Sequence, residues 1–156
     1  QNLISNELSK QPVVVWFRFN AEIEAAAALF QKSGVPYATL TGDVSLADRV
    51  KRLDWFRTSK SPGRVLLTQI KLGQYGLDVS VADTAIYYSR TWDCESNAQS
   101  ADRIIHPMKT TPVLYVDLVA RNTVDEDVVE TVNLKVSTAK LFMTNLRKLT
   151  LKRRAK

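Results

Sequence analysis

The stretch "VVVWFRFNAEIEAAAALFQKSGVPYATLTG", residues 13–42, decides the fold. It opens with "VVVWFRF" (13–19), a β-branched and aromatic run of the kind found in a strand buried on both faces. Asn20 then caps an alanine-rich helix, "AEIEAAAALFQKS", which Gly34 and Pro36 stop. "YATLTG" (37–42) resumes as a strand. Strand, helix and strand in so short a span form a βαβ unit, whose strands lie parallel.

The same alternation continues outward. Ser45, with Asp48 three residues on, opens a second helix whose apolar face is Leu46, Val50, Leu53 and Phe56. "SPG" (61–63) turns the chain into "RVLLTQI" (64–70), and "TAIYYS" (84–89) and "TPVLYVDLVA" (111–120) read as further strands. Thr123 and Glu126 make another capping box, and Val124, Val128 and Val132 mark the inner face of the helix that follows. The expectation is an α/β domain with a parallel sheet of about five or more strands, flanked by helices on both faces. Such sheets carry their working residues on loops at the carboxyl ends of the strands, here just after positions 19, 42, 70, 89 and 120.

Composition narrows the function. The chain has 156 residues, 45% of them apolar and 24% charged, with a net charge of +6. That balance is typical of a globular domain and favours polyanionic partners. We expect one domain over 1–144 and a basic tail over 145–156, "NLRKLTLKRRAK". No apolar run is long enough to span a bilayer, and "QNLISNELSK" has no signal-peptide core, so an intracellular protein is expected. The missing initiator Met suits a fragment or a processed chain. One Cys (Cys94) and one His (His106) leave no zinc ligand set and no disulfide.

Individual residues exclude more than they assign. "RIIHPM" around His106 offers no nucleophile elbow for a Ser-His-Asp triad, and there is no G-x-x-x-x-G-K-[ST] loop to cradle a triphosphate. "DED" at 125–127 starts a helix, where it complements the helix dipole. In "QIKLGQYGLD" (69–78), Gly73 and Gly76 permit positive φ or close approach of a ligand, Lys71 adds charge, and Asp78 suits a sugar hydroxyl. Tyr87, Tyr88 and Trp92 read as core packing, and Cys94 as inert.

Taken in order, these features resemble the C-terminal RecA-like domain of superfamily 2 helicases, especially the Swi/Snf-like DNA translocases and their phage relatives. "VVVWFRFN" matches the family's opening strand, and "LTGDVSLADRVKRLDWF" its glycine turn and "xxxR" helix, with Arg49. "LGQYGLD" matches the glycine motif, "TAIYYSRTWD" the aromatic strand with its Trp, and "QSADR" (99–103) the Q-x-x-D-R motif. "TPVLYVDLVARNTVDEDVV" is similar to the final strand and helix. The resemblance covers about residues 11–140. Two positions depart from it: Gln74 stands for the second glycine of G-G-x-G, and His106 for the second motif arginine, the usual finger.

The resemblance implies a C-terminal motor domain that completes the ATP site of a preceding RecA-like domain and grips a nucleic-acid backbone. Arg103 would meet the γ-phosphate, with His106 in the finger's register; Gly73, Gly76, Asp78 and Gln99 would belong to the ATP site. Arg18, Gly42, Gln69 and Lys71 would face the nucleic acid, DNA foremost with RNA left open. ATP with Mg²⁺ would be held mainly by the preceding domain, so this domain alone is expected to be inactive. The competing expectation is a non-catalytic nucleic-acid-binding module or a degenerate helicase remnant.

Overall fold

The computed structural model describes residues 10–135, with Tyr75 described by its backbone alone. The expected tail, 145–156, lies outside the described residues. Five parallel strands form one sheet in the order β2-β3-β1-β4-β5: β1 (Val13–Phe17), β2 (Tyr37–Leu40), β3 (Val65–Gln69), β4 (Thr84–Tyr87) and β5 (Leu114–Asp117). Every strand is shorter than its sequence pattern suggests, and each gives up residues at its carboxyl end to the loop that follows. Central β1 pairs with both β3 and β4, Val13 lying opposite Val65 and Thr84. All five of its residues are buried, as an unbroken apolar strand requires.

Alternation along the strands divides the core. Val13, Val15 and Phe17 meet Ile23 and Phe30 of helix α1 (Asn20–Ser33) on one face. On the other face, Val14 and Trp16 meet Phe56 of α2 (Leu46–Thr58) and Ile104, just beyond α3 (Cys94–Asp102). The sheet order explains this division. From β1 the chain moves towards one edge, and from β2 onwards it moves back towards the other. Right-handed crossovers of opposite direction lie on opposite faces. A 3-10 turn, Ile70–Tyr75, replaces a full helix between β3 and β4. A last helix, α4, runs over 124–135 and buries Val128 and Val132.

Local signals are corrected in four places. Asn20 is the first residue of α1, not its cap; Phe19 holds the cap position, and its N–H donates to Glu22 Oε2 at 3.1 Å. In α2, Ser45 caps Asp48 N–H as expected, but Leu46 and Val50 are 77% and 61% exposed. Only the carboxyl-terminal part of that apolar face, Leu53 and Phe56, reaches the sheet. Thr123 does cap α4, yet its Oγ1 accepts from Asp125 N–H, and Asp125, not Glu126, reaches back, accepting from Ala120 N–H. Finally, Tyr87 is in the core while Tyr88 and Trp92 are half-exposed.

Candidate functional site

The sequence-predicted residues fall into two groups, both built on the 3-10 turn after β3. Gly73 anchors the first. A Cβ at this position would lie 3.0 Å from Ser100 Cα, so the glycine lets the turn press against the backbone of α3. Its contribution is therefore helix contact; Gly76, at φ 71°, supplies the left-handed residue. Arg103 follows α3 directly, and its Nε donates to Gly73 O at 2.6 Å. Its two terminal nitrogens bond to none of the described residues.

Asp78 and His106 border this arginine. Val79 N–H donates to Arg103 O at 3.3 Å, which draws the segment after Gly76 against it. Asp78 Oδ1 accepts from Ser80 N–H at 3.0 Å, and its Oδ2 pairs with Arg57 at 3.2 Å. Hydrogen bonding to Ser80, aided by Arg57 and His106, outweighs burial and holds the Asp78 carboxyl below the usual carboxylate range. His106 is exposed, and its Nδ1 accepts from Met108 N–H at 3.1 Å in the turn that Pro107 begins. In the neutral ring the proton is therefore on Nε2. Gln99 donates from Nε2 to Glu95 Oε1 at 3.0 Å, whereas its own Oε1 is buried with no hydrogen-bond partner among the described residues.

The second group lies across the carboxyl ends of β1, β2 and β3. Gly42 N–H donates to Gln69 Oε1 at 3.1 Å, and Arg49 Nη2 donates to Gly42 O at 2.6 Å. Asn20 Nδ2 donates to Asp43 Oδ2 at 3.1 Å, tying the loop after β1 to the loop after β2. Arg18 and Lys71 share a cavity of 270 Å³ with Phe17, Phe19, Ile70 and Thr91. Lys71 also lies near Asp93, whose carboxyl is held low chiefly by Ser96 and partly by that lysine. Of the four residues expected to face nucleic acid, Arg18 and Lys71 thus line one crevice, while Gly42 and Gln69 bond to each other.

Two clusters escaped the sequence reading. Arg90 forms a forked pair with Asp117 (2.5 and 3.2 Å), donates to Asn97 Oδ1 at 3.2 Å, and stacks 3.7 Å above the Tyr87 ring. It therefore fastens α3 to the ends of β4 and β5. Lys109 donates to Ser80 O at 2.9 Å and to Ala82 O, and pairs with Asp83 at 2.9 Å. Burial pushes the Asp83 carboxyl up, but Lys109 and Thr111 outweigh it and hold it low. Arg90 had a signal, a lone cation at the end of an apolar strand; Lys109 had none, since its acceptors, two carbonyls and the Asp83 carboxylate, are distant in sequence.

This parallel sheet, with a glycine turn and an arginine helix at its carboxyl edge, defines a RecA-like α/β domain. The family model described as helicase conserved C-terminal domain matches residues 1–107, and the chain belongs to that family. Within it, the chain is a Swi/Snf-like superfamily 2 domain. The human lymphoid-specific helicase is 31% identical over 107 residues, covering 69% of this chain and 13% of that protein. The SNF2 domain-containing protein CLASSY 2 of Arabidopsis thaliana is 28% identical over 131 residues, covering 81% of this chain and 10% of its own length. The chain thus spans only a small part of either relative. The crystal structure of the C-terminal part of the Fun30 ATPase domain shares the fold, with a TM-score of 0.73 and 17% identity over 83% of this chain and 41% of that one.

Proposed function

We propose that the chain is the second half of an intracellular ATP-driven DNA translocase or helicase, and that it completes a nucleotide site on a preceding RecA-like half. One observation carries this reading. The Arg103 guanidinium is fixed through Nε by Gly73 O, and both its terminal nitrogens, bonded to none of the described residues, are left to donate. A positioned cation with two free donors suits the equatorial oxygens of a phosphoryl group in transfer. The residues fit a nucleotide: Arg103 supplies charge for a phosphate, and Gln99 Oε1, buried and without a partner among the described residues, is an acceptor suited to a hydroxyl or amino group of the nucleoside.

When bound, ATP with Mg²⁺ supplies the transferable phosphoryl group and the ion that neutralises its charge; the preceding half holds most of both. On this domain, Arg103 binds and orients the phosphate, Gly73 and Gly76 shape the turn beneath it, and Asp78 fixes the edge on which His106 sits. Arg18, Lys71 and the Gly42–Gln69 pair hold the nucleic-acid backbone, so binding is sequence-tolerant and salt-sensitive. A second reading, a non-catalytic nucleic-acid module, is favoured by His106, which lacks the permanent forked charge of arginine. The domain assignment, 1–144 with a basic tail, belongs to the same proposal.

The test joins this domain to its preceding half and measures DNA-stimulated ATP turnover. Arg103→Ala should nearly abolish it, and the 156-residue chain alone should stay at background. Turnover by the chain alone, lost in Arg103→Ala, would overturn the two-half division. An Arg103→Ala two-domain protein as active as wild type would favour the non-catalytic reading.

A further inference from the structure

We propose that the crevice between the loops after β1, β3 and β4 is a nucleobase pocket, which stacks one unpaired base of a bound strand on Phe19 and Arg18 while Lys71 meets its phosphate. The inference rests on the nucleic-acid reading above and adds the substrate class: a strand with at least one base out of its stack.

Topology supplies the first argument. The connection from β1 leaves towards α1 on one face, whereas those from its neighbours β3 and β4 leave on the other. Loops that diverge at such a switch point open a crevice outside the strand ends, where open α/β sheets bind ligands. The cavity lined by Phe17, Arg18, Phe19, Ile70, Lys71 and Thr91 lies at this point, with a volume of 270 Å³. A cavity of about 150 Å³ already admits a benzene ring, so there is room here for a base.

Side-chain chemistry supplies the second. Phe19 is 52% exposed although it stands where helices favour Ser, Thr, Asp or Asn, and it makes no side-chain cap. A large ring placed against both local rules points to a use beyond the fold. The Arg18 guanidinium carbon lies over the Phe19 ring, 4.8 Å from its centroid, so a cationic and an aromatic surface are stacked together at the rim. Bases stack on both kinds of surface. Lys71 brings a second cation to the same rim. An apolar peptide side chain would leave both cations unused, while an acidic one would leave the ring unused; a base with its phosphate uses all three.

The test uses the 156-residue chain and a short single-stranded thymidine oligonucleotide carrying one 2-aminopurine, whose fluorescence falls on stacking. Binding to wild type should quench the probe. Phe19→Leu keeps apolar bulk but has no ring; it should abolish the quench and weaken binding about 5- to 20-fold, with the salt dependence unchanged. Lys71→Ala should instead flatten the slope of log K against log salt by about 0.7. A fully paired duplex should be indifferent to Phe19→Leu. Because Phe19 is exposed, Phe19→Leu should melt as wild type does, which separates a lost ring from a lost fold. Salt-dependent binding with no quench and a neutral Phe19→Leu would overturn the pocket and leave the phosphate grip standing. No binding to either oligonucleotide would overturn the grip as well.

Discussion

Gly73→Ala should destabilise the domain through a contact that can be measured in advance. The new Cβ would sit 3.0 Å from Ser100 Cα, 3.1 Å from its N and 3.2 Å from its Cβ. Carbon atoms prefer about 3.5–4.0 Å, so one of the two segments must retreat by about half an ångström. Neither moves freely: Ser100 is buried, its Oγ donates to Asn97 O at 2.8 Å, and the same Oγ lies 3.0 Å from Tyr87 OH. Overpacking of this kind costs about 1–3 kcal/mol. Loss of glycine's freedom in the unfolded chain returns about 0.4–1 kcal/mol, leaving a net loss of about 1–2. For a chain of this size that lowers Tm by about 2–8 °C. Gly76→Ala makes the control, since it meets nothing within 4 Å but must adopt φ 71°. Its strain of about 1–2 kcal/mol gives a similar Tm. The two part in the joined motor, because Gly73→Ala also displaces the carbonyl that fixes Arg103. Turnover should fall further in Gly73→Ala than in Gly76→Ala at matched stability. Circular-dichroism melts and steady-state ATPase assays measure both. A Gly73→Ala protein that melts within about 1 °C of wild type, with turnover intact, would refute the close approach.

Arg90→Lys should cost about 2–3 kcal/mol in urea melts, less than the 3–5 of a fully buried broken pair, because a lysine cannot supply the fork to Asp117. Arg90→Ala combined with Asp117→Ala should lose less than the sum of the single changes. Burial pushes the Tyr87 phenol up to about 12 from an ordinary 10.0. Its neutral form is thus favoured by folding, so that contribution is complete below pH 10 and is lost as pH rises through about 12. Tyr87→Phe should remove this alkaline loss from a stability–pH curve. In the joined motor, His106→Arg should raise single-turnover hydrolysis on DNA by less than the about 10³–10⁵-fold of a fully engaged finger, because the Met108 N–H contact holds this residue in a turn. If His106→Arg and His106→Ala both match wild type, His106 is outside the site.

The sheet was legible because its strands are unbroken apolar runs and its helices carry caps and glycine stops. The edge of α2 was not. Leu46 and Val50 continue the helical period of Leu53 and Phe56, and periodicity says nothing about where the sheet beneath a helix ends. The glycine loop was found for a reason only half right. Positive φ belongs to Gly76, while Gly73 is needed for a backbone contact made by a helix about thirty residues away in sequence. Arg103 stood out by its motif, but the carbonyl that fixes it belongs to that distant glycine. Lys109 left no trace at all, since the Ser80 and Ala82 carbonyls and the Asp83 carboxylate that hold its ammonium all lie far from it in sequence.

These contacts also make one unit of the two candidate groups. The turn after β3 supplies Lys71 to the crevice and, two residues later, the Gly73 carbonyl to Arg103. Between them lies Leu72, buried in the core, and the same turn is held to α3 by Gln74 Nε2, which donates to Ser96 Oγ at 2.8 Å. One residue further on, α3 is pinned through Asn97 and Arg90 to Asp117 on β5. A turn so short and so fixed cannot shift at Gly73 while staying still at Lys71. Gln74 also accounts for the departure from a second glycine: its side chain makes a bond to α3 that a glycine could not. The substitution thus trades backbone freedom for an added hold on the helix that carries Arg103, and Gln74→Gly should loosen that helix without relieving any strain.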